Sequence, residues 1–277
     1  MPKPSTSQLK RRLEIAEMVR KNREIKVDDL SARLGVSGVT IRNDLNYLEQ
    51  QGYLKRSFGG AIYTTPNDLP HNATQSGGLP GGNRAVEIEL ARQCAQRIED
   101  GDVLFLGHGE LTRKMLPFLA PLKNLTLLIN DLSHAQAALD FINGKVILAG
   151  GNLNPATKAL HGDLLLAALD ACPITVSVTA IDTIAGGAEL MLYDETWAAT
   201  YRAVMACASR RIVLLPKRMA EQAGAFPVGR LDDISCMIAP QDVIAEYHQP
   251  LVANGLLNRY TNNECFTYIH AALNAKD

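Results

Sequence analysis

At 277 residues the chain is long enough for two domains, and 47% hydrophobic with 21% charged residues is the balance of a globular protein. No apolar run approaches the roughly 20 residues of a membrane-spanning helix, and Met1-Pro2-Lys3-Pro4 opens without an apolar signal core, so the expected location is cytoplasmic. The net charge of −1 hides an asymmetry: 12 Lys and Arg stand against 7 Asp and Glu in residues 1–63, and 16 against 22 in the rest.

Ser7 to Asn22 begins on a capping Ser and carries Leu9, Leu13, Ala16 and Val19 or Arg20 along one stripe, which predicts a first helix. Ile25 and Val27 read as extended. Asp28 to Leu34 is a short helix with two acids in its first turn, where the helix dipole favours them, and Gly35 closes it. The stretch from Val36 to Ala61 follows. Ser37 caps a helix by accepting from the backbone N–H of Val39 or Thr40, a contribution of about 1 kcal/mol. Ile41, Leu45 and Leu48, at i, i+4 and i+7, face a core and leave Thr40, Arg42, Asn43 and Asn46 outward. Gly52 ends this helix. Tyr53 to Phe58 alternates like a strand, and Gly59-Gly60 turns it back toward Ala61-Ile62-Tyr63.

Helix, short helix, glycine turn and capped helix make a helix-turn-helix, and the basic strand with its turn makes a wing. An ordinary surface helix also keeps polar residues outward, so the outward face alone does not decide. The order of elements does favour DNA. Ser37, Thr40, Arg42 and Asn43 are the candidate groove contacts, and Lys55 and Arg56 the candidate phosphate contacts. A charge of +5 is modest for DNA binding at physiological salt, so a homo-oligomer that multiplies the contacts is expected.

Thr64 to Asn83 has no apolar period and many turn residues, and reads as a flexible linker. The expected division is 1–63, 64–83 and 84–277. Beyond Arg84 the pattern alternates helices with short apolar runs: Val103 to Leu106, Leu125 to Ile129, Val146 to Leu148, Ile174 to Ile181, Ile212 to Leu215 and Ile234 to Ile238. Six such runs predict an α/β domain with a mostly parallel sheet, whose ligands bind at the carboxyl ends of the strands. Those ends carry Gly107, His108, Gly109 and Glu110, then Asn130, Gly150 with Gly151, Asp182, and Lys217.

Gly107-His108-Gly109 ahead of a helix presents backbone N–H groups to an anion or is simply a tight strand-to-helix turn. Glu110 beside it disfavours a phosphate dianion unless it points away. Gly150-Gly151 reads as a close backbone crossing. The five cysteines, Cys94, Cys172, Cys207, Cys236 and Cys265, have no metal-ligand spacing and read as small core residues in a reducing compartment. No cofactor is called for. Phe266, Ile269 and Leu273 stand at helical spacing, predicting a terminal helix.

The residues Val36-Ser37-x-x-Thr40-Ile41-Arg42-x-Asp44-Leu45, Leu48-Glu49-x-x-Gly52 and Arg56-x-x-Gly59-Gly60-Ala61 closely resemble the DeoR family of bacterial sugar-metabolism repressors. The resemblance continues through Asp100-Gly101-Asp102, Asn130, Gly150-Gly151, Gly162, Ala180-Ile181-Asp182 and Gly187-Ala188. It implies an N-terminal winged helix-turn-helix and a C-terminal α/β effector domain of the ribose-phosphate isomerase/CoA-transferase-like fold, which binds a phosphorylated sugar intermediate. The family's Ser-Gly-Thr-Thr phosphate loop is replaced here by Gly107-His108-Gly109-Glu110, and its Asp-Ser-Ser-Lys by Pro216-Lys217-Arg218-Met219. Asp194 fits an acid-rich segment of the family. Trp197, the only Trp, either stacks on a sugar ring or packs a helix.

Two functions from different classes follow. The first is a transcriptional repressor of a carbohydrate-utilisation operon, relieved by a sugar phosphate or related metabolite and acting on double-stranded operator DNA. The second is a sugar-phosphate isomerase-like enzyme, with Asp182 ahead of Gly186-Gly187-Ala188 as its acid or base. The altered phosphate loop and the attached DNA module weigh against the enzyme.

Overall fold

The computed structural model describes residues 8–50, 53–63, 84–216, 225–261 and 265–272, in two compact units, Met1–Ile88 and Glu89–Asp277. The linker 64–83, Gly52, Lys217 and Leu273 lie outside the described residues.

In the first unit, α1 (Gln8–Asn22) leads through β1 (Glu24–Lys26) to α2 (Val27–Leu34) and α3 (Gly38–Gln50), then to the hairpin of β2 (Lys55–Ser57) and β3 (Gly60–Ile62). Val27, read as extended, is instead the first residue of α2. Gly35 ends α2 at φ 66°, the left-handed region where a Cβ is penalised. The α3 stripe is buried as expected: Ile41, Leu45 and Leu48 pack with Val27, Leu30, Leu54 and Ala61. On α1 the buried positions are Ile15, Ala16 and Val19, so Ile15 fills the place expected of the half-buried Leu13. Apolar contacts stop short of making the unit neutral inside. Asp44 is 1% exposed, and its two oxygens accept from Arg11 Nε at 2.7 Å and Arg12 Nε at 2.8 Å.

The sheet of this unit runs β1-β3-β2, all antiparallel. Gly60 makes it possible: a Cβ there would sit 2.3 Å from the carbonyl oxygen of Ile25. Any side chain would push β3 off β1.

Helix α4 (Arg84–Ala95) spans the division at Ile88, and the second unit continues with β4 (Val103–Leu106), α5 (Glu110–Arg113), β5 (Thr126–Ile129), α6 (Leu132–Phe141), β6 (Lys145–Leu148), β7 (Asn152–Leu153), β8 (Leu160–His161) and α7 (Asp163–Ala171). Then come β9 (Val176–Ala180), β10 (Thr183–Ala185), β11 (Glu189–Leu192), α8 (Glu195–Cys207), β12 (Arg210–Leu214), β13 (Phe226–Arg230) and β14 (Cys236–Pro240). Two short helices, α9 (Gln241–Ile244) and α10 (His248–Ala253), precede β15 (Leu256–Thr261) and β16 (Cys265–His270).

One sheet of eight strands, ordered β15-β16-β14-β12-β9-β4-β5-β6, organises this unit. The six predicted apolar runs are its six parallel strands. Nearly every residue of β4, β5, β9 and β14 is buried, which requires cover on both faces and explains why these strands read as mainly apolar runs, with small hydroxyl residues such as Ser177 and Thr179 buried among them. The predicted terminal helix is not there. Phe266 and Ile269 lie instead on β16, antiparallel to β14 in the register Cys236↔Ile269 to Pro240↔Cys265. Cys265 to Ile269 is rich in aromatic and β-branched residues, and a strand there satisfies the open edge of β14, which a helix could not do. Cys94, Cys236 and Cys265 are buried as expected, whereas Cys207 is exposed at the end of α8. No helix among the described residues is long and apolar enough to cross a membrane.

Candidate functional site

Two sites emerge, one in each unit. On α3, Ser37 Oγ accepts from Thr40 N at 3.2 Å and lies 2.9 Å from Thr40 Oγ1, so both hydroxyls take part in the cap. Beyond the cap, Val39, Arg42, Asn43, Asn46 and Glu49 are exposed along one face, at the 3–4-residue spacing of a single helical side. The wing is fastened to that face. Arg56 donates from its backbone N to Glu49 at 2.8 Å and from Nη1 to Asn46 Oδ1 at 2.5 Å, while Lys55 stays exposed beside it. Of the predicted contacts, Ser37, Arg42, Asn43, Lys55 and Arg56 are thus presented together, with Thr40 half-buried beside them. Val39 and Phe58 are also exposed on this surface; both are apolar, and only their absence from the buried stripe marks them in the sequence.

In the second unit the carboxyl ends of β4 and β5 are tied together. Asp131 accepts from Gly109 N at 3.3 Å with Oδ2, and with Oδ1 from Ser133 N at 2.7 Å, capping α6. His134, wholly buried, lies 2.9 Å through Nε2 from the Gly109 carbonyl, so that nitrogen donates. Its Nδ1 then carries a lone pair, and it has no partner among the described residues.

Asn130 is also fully buried. It donates from Nδ2 to the Leu160 carbonyl at 2.9 Å, which leaves Oδ1 buried without a partner among the described residues. A buried acceptor left this way is costly unless a donor arrives.

His108 from the β4 loop meets α8. Its ring stacks on Trp197 at 3.9 Å between centroids, and its Nδ1 lies 3.4 Å from Tyr201 Oη. His161 of β8 approaches the same indole edge-on at 5.6 Å. Trp197 is buried in the apolar cluster that α8 shares with β10, β11 and β12, so it packs a helix, and its ring partners are the two imidazoles. Desolvation by burial lowers the His108 pKa to about 4, outweighing the opposing pull of Asp131. Burial also lowers His134. Both rings are therefore neutral at pH 7. Tyr201 is pushed upward by burial and by Asp182.

The remaining predicted positions divide. Asp182 is half-buried and accepts from Tyr193 N at 2.9 Å; Asp194 is exposed and caps α8 by accepting from Thr196 N at 2.9 Å. Glu110 is turned to Arg113, with contacts of 2.6 and 2.8 Å to Nη2, so its charge is met there. Gly151 is the expected close crossing: a Cβ would lie 2.4 Å from the His161 carbonyl. Gly150 lies 3.8 Å from Leu164 by the same construction, and Gly107 is backed by Tyr201 Oη and the Val178 carbonyl, each at 3.1 Å. His161 and Tyr201 do not follow a predicted strand, and His134 lies in the first turn of α6, beyond the strand-end positions that mark a ligand site in sequence. Among the described residues no group of His, Cys, Asp and Glu could hold a metal ion.

The DeoR-like helix-turn-helix domain matches residues 11–67, and the DeoR C terminal sensor domain matches residues 83–241. The chain belongs to the DeoR family. It is a DNA-binding transcriptional regulator, with the reading unit and the sensor on one polypeptide. A protein assigned as the aga operon transcriptional repressor of Escherichia coli O157:H7 is 26% identical over 87% of this DeoR-family chain and 89% of its own length. The glycerol-3-phosphate regulon repressor of Escherichia coli K12 is 27% identical over 73% of the chain and 78% of its own. Ribose 5 phosphate isomerase A from Neisseria gonorrhoeae superposes with a TM-score of 0.37 at 9% identity, covering 69% of this chain and 78% of that one.

Proposed function

We propose that this DeoR-family regulator represses a carbohydrate-utilisation operon in the cytoplasm and is released by a sugar phosphate or related polyhydroxylated metabolite. The observation that carries the effector reading is Asn130 Oδ1, a buried acceptor without a partner among the described residues, at the carboxyl end of a parallel strand. A sugar hydroxyl is the donor such an atom needs. His108, Asp182, Asp194 and the backbone of Gly107 and Gly109 would line the same site, with Gly151 holding the chain close behind and Lys217 as the expected cation. No turnover is assigned to it. Residues 1–63 would read the operator, 64–83 would link, and 84–277 would sense and hold a homo-oligomer.

On the DNA side, Arg42 and Asn43 read bases while Lys55 and Arg56 meet phosphates. Arg42→Ala is expected to weaken operator binding by about 1 to 3 kcal/mol with a smaller loss on random duplex. Equal losses on both would assign Arg42 to phosphate. Replacing Lys55 and Arg56 together by Ala is expected to lower the salt-dependence slope by about two; an unchanged slope would take the wing off the backbone.

The lowered His108 and His134 give a pH signature. The folded state holds both rings neutral where the unfolded chain, with His near its ordinary 6.5, binds protons. Their stabilising effect is therefore complete above about pH 6.5 and is lost as pH falls below it, for His108 through the range down to about 4. Thermal unfolding from pH 7.5 to 4.5 should show this fall, and His108→Gln should shallow it.

The deciding experiment is binding of the protein to its own upstream DNA across a salt series, with and without phosphorylated and unphosphorylated sugars. Specific binding relieved by a sugar phosphate is expected. No specific binding, together with turnover of an aldose phosphate, would replace the regulator with the enzyme.

A further inference from the structure

The wing carries a side chain that the reading above does not use. Phe58 stands wholly exposed at the turn between β2 and β3, although large aromatics are normally covered on folding. Its surroundings are polar with a cationic excess: Lys26, Lys55 and Arg56 are exposed on the same three-stranded sheet, against the one exposed carboxylate of Glu24, which accepts from Ser57 Oγ at 3.4 Å, and the register Lys26↔Gly60↔Ser57 puts Lys26 in the row next to the turn.

The turn is held firmly. Val27 N donates to the Gly59 carbonyl at 2.9 Å, and Gly60 is pressed against Ile25 with no room for a Cβ. A ring projecting from a fixed, basic tip does not resemble a hydrophobic contact awaiting another protein's apolar core. It suits an anionic partner with an apolar interior, which describes stacked bases between phosphates. Apolar wedges that enter a base step from the minor groove, with cations on the flanking backbone, have this composition.

We propose that Phe58 is such a wedge: with α3 in the major groove, the phenyl ring enters the neighbouring minor groove and partly unstacks one base step of the operator. The inference rests on the operator-binding function proposed above. It adds a source of sequence preference that requires no hydrogen bond, because pyrimidine–purine steps open more readily than others. Lys26, Lys55 and Arg56 supply the phosphate contacts around the insertion.

The test uses the full chain on the operator footprinted with the wild-type protein. 2-Aminopurine is placed singly at each step along the minor groove flanking the α3 contact. Wild type is expected to raise the fluorescence at one step per half-site; Phe58→Ala should abolish that rise and weaken operator binding 10- to 100-fold while the salt slope stays unchanged. Phe58→Leu should keep part of both. A normal footprint with no step responding, or a Phe58→Ala variant that binds and responds like wild type, overturns the wedge and leaves the regulator standing. A Phe58→Ala variant whose only change is a smaller oligomer also overturns it, assigning the ring to a contact between copies. Absence of any wild-type footprint overturns the regulator and the wedge together.

Discussion

Asp44→Ala is expected to destabilise the first unit by about 3 kcal/mol and to abolish operator binding. The carboxylate is 1% exposed while its partners Arg11 and Arg12 are only 15% and 14% exposed. Removing the anion leaves two largely covered guanidinium groups facing each other without a counter-charge, and breaking a buried pair this way costs roughly 3 to 5 kcal/mol. The low end applies because both Arg side chains keep some access to water. Arg12 also lies over the Tyr47 ring at 3.7 Å from its centroid, so the loss spreads along α3. The pair does more than add stability. It sets the rotation of α3 against α1, and hence the direction of Arg42 and Asn43. Amide hydrogen exchange over residues 8–50, alongside operator titration, checks the expectation. If exchange protection were unchanged while DNA binding vanished, Asp44 would act on the DNA contact itself.

The second large effect belongs to the sensor. Asn130→Ala removes the buried Oδ1 acceptor and the Nδ2 donor to Leu160. If an effector hydroxyl donates to Oδ1, its loss leaves that hydroxyl unsatisfied in a desolvated site, a penalty of about 2 kcal/mol. The effector concentration for half-release of operator DNA should then rise about 30-fold, with effector-free affinity unchanged. An unaltered release curve would place the effector elsewhere.

Much of this architecture was legible because a few physical signals are strong in sequence. The central parallel strands are covered on both faces, so they appear as short, mainly apolar runs, and all six parallel strands were found. The helix-turn-helix was equally plain, because Ser37, Gly35 and the Ile41, Leu45, Leu48 stripe mark starts, stops and faces at short range. Edge structure was harder. Phe266 and Ile269 are three apart in a segment that also alternates, and the pairing with β14 that decides between helix and strand lies some 30 residues away. The small antiparallel sheet β10-β11-β13 was missed for the same reason.

The candidate sensor site was only half legible. Strand ends pointed to Gly107 to Gly109, Asn130 and Asp182 as candidates, but the imidazoles of His134 and His161 arrive from a helix and a two-residue strand. Trp197 left two roles open in the sequence, and the stack on His108 is what the fold makes of it. The neutrality of His108 is a property of burial, which no spacing rule reports.

The C-terminal hairpin has a consequence for misassembly. All five residues of β14 are buried, and β16 supplies the hydrogen bonds along its outer side. Were β16 to detach, a row of unpaired N–H and C=O groups would border a strand with no charge to repel a neighbour, a ready template for joining another molecule edge to edge. The hairpin is in that sense a safeguard of solubility, and lesions that loosen it would be felt first as precipitation in the cell rather than as altered response to sugars.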